Sequence, residues 1–172
     1  GSHTLKGIAE TINNPEVLRE VENGEWILNA NIHVLKGATL SITDNEVTWL
    51  KIDSTPTKWD PSTTTFIGKE WGIINQGGNL FIEGVRIDSW DFAEDRPFKL
   101  TEGQRHLKST VVRPYICTDG GVTKIRKCEI YNLGSWPGYY PYDMELLRKS
   151  GIIFWNVTEG EEIGRASCRE RV

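Results

Sequence analysis

Apolar and polar residues alternate in short bursts along most of the chain, and three stretches share one plan. The first is Gly37-Ala-Thr-Leu40-Ser-Ile42 followed by Leu50-Lys-Ile52-Asp-Ser54. The second is Gly77-Gly-Asn-Leu80-Phe-Ile82 followed by Val85-Arg-Ile87-Asp-Ser89. The third is Gly120-Gly-Val-Thr-Lys-Ile125 followed by Cys128-Glu-Ile130-Tyr-Asn132. Alternation over four or five residues is the mark of a half-buried strand, because successive side chains leave opposite faces. The leading glycines fall 40 and then 43 residues apart. A near-constant period predicts units that each bury an apolar face on the next.

The pattern predicts an all-β fold, a right-handed parallel β-helix of about three to four coils. Small polar residues such as Asn75, Asp88, Ser89 and Asn132 are expected at the corners, where Asn, Asp, Gly and Ser turn the backbone cheaply. A sandwich is the rival, and its strands would more often be joined by tight two-residue hairpins. Two helices stand outside the repeat. Residues 14–21 offer an Asn N-cap, Pro at the first helical position and an acid in the first turn. This segment is expected to cap the open end of the core. Residues 143–149, stopped by Gly151, predict a second short helix. The longest irregular stretches, 53–66, 88–110 and 134–143, are expected to project as loops, where function usually sits.

Composition narrows the classes. The 172 residues suit one domain, and 38% hydrophobic content excludes a disordered chain. No apolar run approaches the ~20 residues of a membrane span. A net charge of −4 argues against a general nucleic-acid binder. Both ends look foreign. Gly1–His3 reads as a tag-cleavage scar, and residues 162–172 resemble a translated sequencing adapter; an ordinary charged tail is the alternative. On that reading the gene is an incomplete environmental read and the native part is a truncated domain over 4–161. Without the tail 17 basic and 22 acidic residues remain, and Cys168 drops out. Cys117 and Cys128 lack CxxC spacing, which argues against zinc, and Cys128 reads as a small core residue.

Several motifs resemble right-handed parallel β-helix proteins related to mannuronan (alginate) C5-epimerases. They are Trp26-Ile-Leu-Asn-Ala30 leading to Gly37-Ala-Thr-Leu-Ser-Ile42, Ile87-Asp-Ser-Trp-Asp91 with Arg96-Pro97-Phe98, and Arg113-Pro-Tyr-Ile116 with Gly120 and Gly121. The likeness spans roughly residues 24–157, the N-terminal coils only. The family's Asp-Pro-His-Asp catalytic motif occurs nowhere in the chain. The resemblance therefore implies a polysaccharide-recognising fragment of a carbohydrate-active parent, an epimerase or lyase, without complete catalytic machinery. It favours an extracellular or periplasmic location. An exposed C-terminal coil would also be sticky, so a homodimer through that end is expected.

Candidate chemistry lies mostly in the loops. Removal of a sugar C5 proton needs a base, an acid and a cation on the carboxylate. His106 and Tyr140 are the candidate catalytic residues. His33, between Ile32 and Val34, reads as a solvated strand residue. Trp59, Trp90, Trp136, Tyr139 and Tyr142 are candidate stacking rings for sugar C–H faces, and Arg96 and Arg113 could grip a carboxylate. Each has a plain alternative as a loop anchor or ion-pair partner. Trp26, Trp49, Trp71 and Trp155 are expected to be structural. Asp88, Asp91 and Asp95, with Glu94, offer oxygens that would suit calcium, although a solvated acidic loop is the favoured explanation; no cofactor is otherwise expected. A self-contained lyase or hydrolase, and a structural solenoid with no ligand, are the competing functions.

Overall fold

A computed structural model of the protein describes residues 1–60, 65–69, 71–98, 113–134, 151–155 and 159–164. The described chain is mostly β, with one helix, α1 (Leu5–Ile12). Three sheets carry the repeat. The first holds β1 (Ser2–Thr4), β5 (Thr39–Thr43), β10 (Asn79–Glu83), β14 (Val122–Arg126) and β17 (Glu159–Gly164), all parallel to their neighbours. The second holds β2 (Leu18–Glu22), β3 (Glu25–Leu28), β6 (Trp49–Asp53), β11 (Arg86–Asp91), β12 (Arg96–Pro97) and β15 (Glu129–Tyr131). In it β3, β6, β11 and β15 are parallel, and β2 and β12 are antiparallel flanks. The third holds β4 (Ile32–Leu35), β9 (Gly72–Gln76), β13 (Tyr115–Asp119) and β16 (Ile152–Trp155), again parallel. The chain visits the third, first and second sheets in that order through β4–β5–β6, β9–β10–β11 and β13–β14–β15.

The sequence repeat becomes a stack of like residues. Leu40 pairs with Leu80, and Ile42 pairs with Ile82, which pairs with Ile125. Leu50, Ile87 and Ile130 form a parallel column in the second sheet. All are at most 2% exposed and belong to one core. Each such side chain contributes roughly 1.5–3 kcal/mol by leaving water. Glycines hold the turn between the third and first sheets. Gly37, Gly77 and Gly120 have φ of 84°, 86° and 83°, a region that strains L side chains. Behind them the backbones almost touch, since a Cβ on Gly121 would lie 2.2 Å from the Gly78 carbonyl oxygen.

Buried Asn75 braces this turn. Its Oδ1 accepts from the Gly78 N–H, and its Nδ2 donates to the Gly78 and Val122 carbonyls and to Thr123 Oγ1. An Asn with no exposure is tolerable here because its polar atoms are engaged. Asn75 thus lies in β9 and reaches the corner through its side chain. Asp88 and Ser89 lie inside β11 and are not corner residues. Asn132, at φ 58°, does follow a strand end as a turn residue should.

The N-terminus departs from expectation. The helix predicted over 14–21 is absent, and the helix that forms is Leu5–Ile12. Thr4 caps it, accepting from the Gly7 N–H, and Asn13 ends it at φ 48°. Asn14 and Pro15 make one tight turn, in which the Asn14 carbonyl accepts from Val17 and Leu18. Leu18–Glu22 then pairs antiparallel with β3 across Asn23-Gly24. Asn-Gly is a strong two-residue hairpin signal, and it outweighs the helix-start chemistry upstream. The role expected of the cap passes to α1, whose Leu5 is buried and whose Ile8 and Ala9 pack on the core.

Two further corrections concern the loops and the alignment. The described part of 53–66 is not a plain loop, because β7 (Pro56–Asp60) pairs antiparallel with β8 (Thr65–Gly68). In the second sheet Leu50 pairs with Ile87 rather than with Val85, two residues away from the sequence alignment. A slip of two keeps every side chain on its face, so alternation alone does not reveal it. Cys117 and Cys128 are buried and unbridged. At the ends, β1 includes Ser2 and His3, and β17 runs to Gly164.

Candidate functional site

The outer side of the second sheet carries the densest polar and aromatic arrangement among the described residues. The alternation that sends Leu50, Ile52 and Ile87 into the core sends Trp49, Lys51, Asp53, Arg86, Asp88 and Trp90 outward. Parallel register sets them side by side, with Glu25, Trp49, Arg86 and Glu129 in one row and Ile27, Lys51, Asp88 and Tyr131 in the next.

Cations and rings interleave on this face. The Lys51 ammonium lies 4.1 Å from the Trp49 ring centre and 4.0 Å from that of Trp90, and it donates to Glu25 Oε1 at 2.7 Å. The Arg86 guanidinium lies 4.0 Å from Trp49 and 5.5 Å from Tyr131. It forks onto Asp88, with Nε at 2.8 Å and Nη2 at 2.6 Å from Oδ2. Trp49 and Trp90 meet edge to face, with centroids 5.2 Å apart. Such cation–ring contacts are each worth about 0.5–2 kcal/mol. Lys69 reaches Asp53 Oδ2 at 2.5 Å, and the Tyr131 hydroxyl donates to Glu129.

Asp88 has the most distinctive electrostatics on the face. It is 1% exposed, and burial pushes its carboxyl above the ordinary value of 3.8. Arg86, Trp49 and Asn132 pull in the opposite direction without outweighing burial. The Trp49 indole N–H is buried and completes no hydrogen bond of good geometry, so the carboxylate feels it only as a nearby dipole.

The structure sorts the expected site residues unevenly. Trp90 belongs to this cluster, on strand β11 rather than on a loop; it is 7% exposed, and its Nε1 donates to Asp95 at 3.3 Å. Trp59 lies on β7, opposite Phe66. Arg96 is exposed on β12, 4.0 Å from Glu94. Arg113 is buried and donates to the Gly134 carbonyl. Of the calcium candidates, Asp88 is taken up by Arg86, Asp91 accepts from the Ala93 and Glu94 N–H groups, and Asp95 accepts from Trp90. Among the described residues no three His, Cys, Asp or Glu side chains converge as a metal site. His33 is exposed and bonded to Gln76, as a solvated strand residue should be. His106, Trp136, Tyr139, Tyr140 and Tyr142 lie outside the described residues, as does the helix expected over 143–149. Sequence reasoning missed Trp49, Lys51, Arg86 and Tyr131 as a group, because only sheet pairing makes residues so far apart adjacent.

A separate concavity of about 330 Å³ lies between α1 and strands β4 and β5. Apolar Ile8, Ile12, Ile32, Val34 and Leu35 line it together with the polar His3, Thr11, His33 and Thr39. No helix among the described residues is long and apolar enough to cross a membrane.

No protein-family model matches the chain, and no curated protein matches it. Solved structures do. The periplasmic alginate epimerase AlgG superposes with a TM-score of 0.59 at 16% identity, over 93% of this chain and 35% of that one. A double mutant of AlgG superposes with a TM-score of 0.57, also at 16% identity, over 91% of this chain and 34% of that one. The chain thus spans about a third of the length of these structures. At this identity the likeness concerns architecture: the parallel β fold is similar to that of the periplasmic alginate epimerase AlgG.

Proposed function

We propose that the chain is a stretch of right-handed parallel β-helix from a carbohydrate-active protein, and that the outer face of the second sheet binds a polysaccharide. The observation that carries this reading is the ladder of Trp49, Arg86 and Tyr131 on successive strands. Strands in a sheet lie about 4.8 Å apart, a spacing comparable to one sugar along a polymer. A polysaccharide running across the strands would meet Trp49, then Arg86, then Tyr131 at successive steps. Rings supply apolar faces for C–H stacking, and Arg86, held in place by Asp88, supplies fixed donors for hydroxyls. The repeated third–first–second order of the sheets and the likeness to AlgG support the β-helix itself.

Recognition rather than catalysis is the reading, because the described face presents ion pairs and rings rather than a free acid and base. Trp59, on β7, and Trp136, Tyr139 and Tyr142 would add stacking rings, and His106 and Tyr140 would enter only if the fragment also reacts. The location proposed is the periplasm or cell exterior, and self-association would use the C-terminal coil. Titration with alginate, pectate and cellulose oligomers, followed by Trp fluorescence, tests the reading. Saturable quenching that Arg86→Ala weakens at least ten-fold is expected. No response to any glycan would overturn it.

A further inference from the structure

Most charges on the proposed sugar face are already spent on one another; Arg19, beside Ile27 on the flanking β2, is exposed and donates to the Pro15 carbonyl. On β3, β6, β11 and β15 the outward cations are Lys51 and Arg86, and Lys69 joins them from the turn after β8. Lys51 is held by Glu25 at 2.7 Å, Arg86 by Asp88 at 2.6 Å and Lys69 by Asp53 at 2.5 Å. Glu129 stands in the same row as Arg86 and is exposed, with the Tyr131 hydroxyl as its donor. Four carboxylates therefore face three cations. The cations are also sterically engaged, Lys51 against two indoles and Arg86 between Trp49 and Tyr131. On the adjoining β12, Arg96 has Glu94 4.0 Å away.

A polyuronate brings one carboxylate per sugar. To bind here it would have to share a cation with a partner that is closer and partly desolvated, and it would meet Glu129 as a like charge. Breaking such a pair leaves a buried carboxylate uncompensated, which costs more than a new exposed contact returns. An uncharged glycan asks for none of this. Its hydroxyls can donate to the exposed Glu129 carboxylate and accept from the remaining Arg86 N–H groups, with every ion pair intact.

We infer that this face selects an uncharged glycan over a polyuronate, so that its ligand class differs from that in the name of the structures it resembles. This rests on the polysaccharide reading above. The test compares oligomannuronate with the same oligomer after carboxyl reduction, and oligogalacturonate with its reduced form, by Trp fluorescence across a salt series. Each pair differs only at C6, which is a carboxylate in one and a hydroxymethyl in the other. The reduced oligomer of at least one pair should bind roughly ten-fold tighter at low salt, and the gap should narrow as salt screens the repulsion. Glu129→Gln, an exposed change that keeps an acceptor for Tyr131, should raise affinity for the acid form and leave the reduced form unchanged. Tighter binding of the acid forms, weakening with salt, would overturn the charge selectivity while leaving the polysaccharide reading standing. Silence from all four oligomers and from cellulose oligomers would overturn both.

Discussion

Single residues show how tightly the stack is built at one turn. Gly37 and Gly121 share a positive φ, yet a Cβ on Gly37 meets nothing within 4 Å, whereas on Gly121 it would strike backbone. Gly37→Ala should therefore cost about 1–2 kcal/mol from conformation alone. Gly121→Ala should cost more, about 3 kcal/mol or above, because the Gly78 carbonyl belongs to a packed sheet corner and cannot give way. Urea midpoints of the two variants check the difference, and equal losses would refute it. Asp88 sets a second expectation. Its carboxyl is raised above 3.8, so the folded protein holds this proton more firmly than the unfolded chain does. The group's contribution is most favourable below the unfolded value and falls as pH rises through the native one. Urea titrations across the acid range should show the wild type losing stability relative to Asp88→Asn as pH climbs through that window. The glycines were legible from their spacing, and Asp88 only as an acid, because the burial that shifts it comes from strands far away in sequence.

At the scale of elements, local signals compete and the shorter-range one often wins. Asn14-Pro15-Glu16 is good helix-start chemistry, yet Asn23-Gly24 closes a hairpin that turns the following residues into β2. Replacing Gly24, at φ 76°, with Ala should weaken that hairpin, since a Cβ there would also press on Thr48. Faster amide exchange in β2, with β10 unchanged, is the outcome expected. The strands of the repeat were readable because alternation is a strong signal. The offset of β6 was not, since sliding a strand by two leaves the same faces in and out. The candidate face suffered most from this limit. Trp49 and Arg86 are neighbours only through strand pairing, and each alone looks like an ordinary strand residue. The cation–ring contact of Lys51 with Trp49 should be measurable: Trp49→Leu and Lys51→Met, combined in a double-mutant cycle, should show a coupling of about 0.5–2 kcal/mol in urea denaturation.

For the whole molecule, each pass through the three sheets touches mainly the pass before and the pass after. Stability in such an array is close to a sum over neighbours. β10 has parallel partners on both sides in β5 and β14, whereas β1 and β17 close the ends of the first sheet. Hydrogen exchange should therefore be slowest in β10 and quicken toward both ends. Uniform protection would indicate a single cooperative block instead. The periodic plan of the molecule was legible because every unit repeats the same burial problem. The likeness to AlgG agrees with it over 93% of the chain.

The three turns of each pass are unequal in their tolerance of added length. Between the third and first sheets the chain has two or three residues to spend, 36–38, Gly77-Gly78 or Gly120-Gly121, and the backbones of the last two turns are in contact. Between the second and third sheets the connections are long, from Asp53 to Gly72, from Asp91 to Tyr115 and from Tyr131 to Ile152. Insertions and deletions are thus channelled to one edge of the molecule, the edge where Asp53 and Asp91 end their strands. A lineage of such proteins could rewrite what borders the cation–aromatic face, segment by segment, while the glycine corner keeps the stack in register.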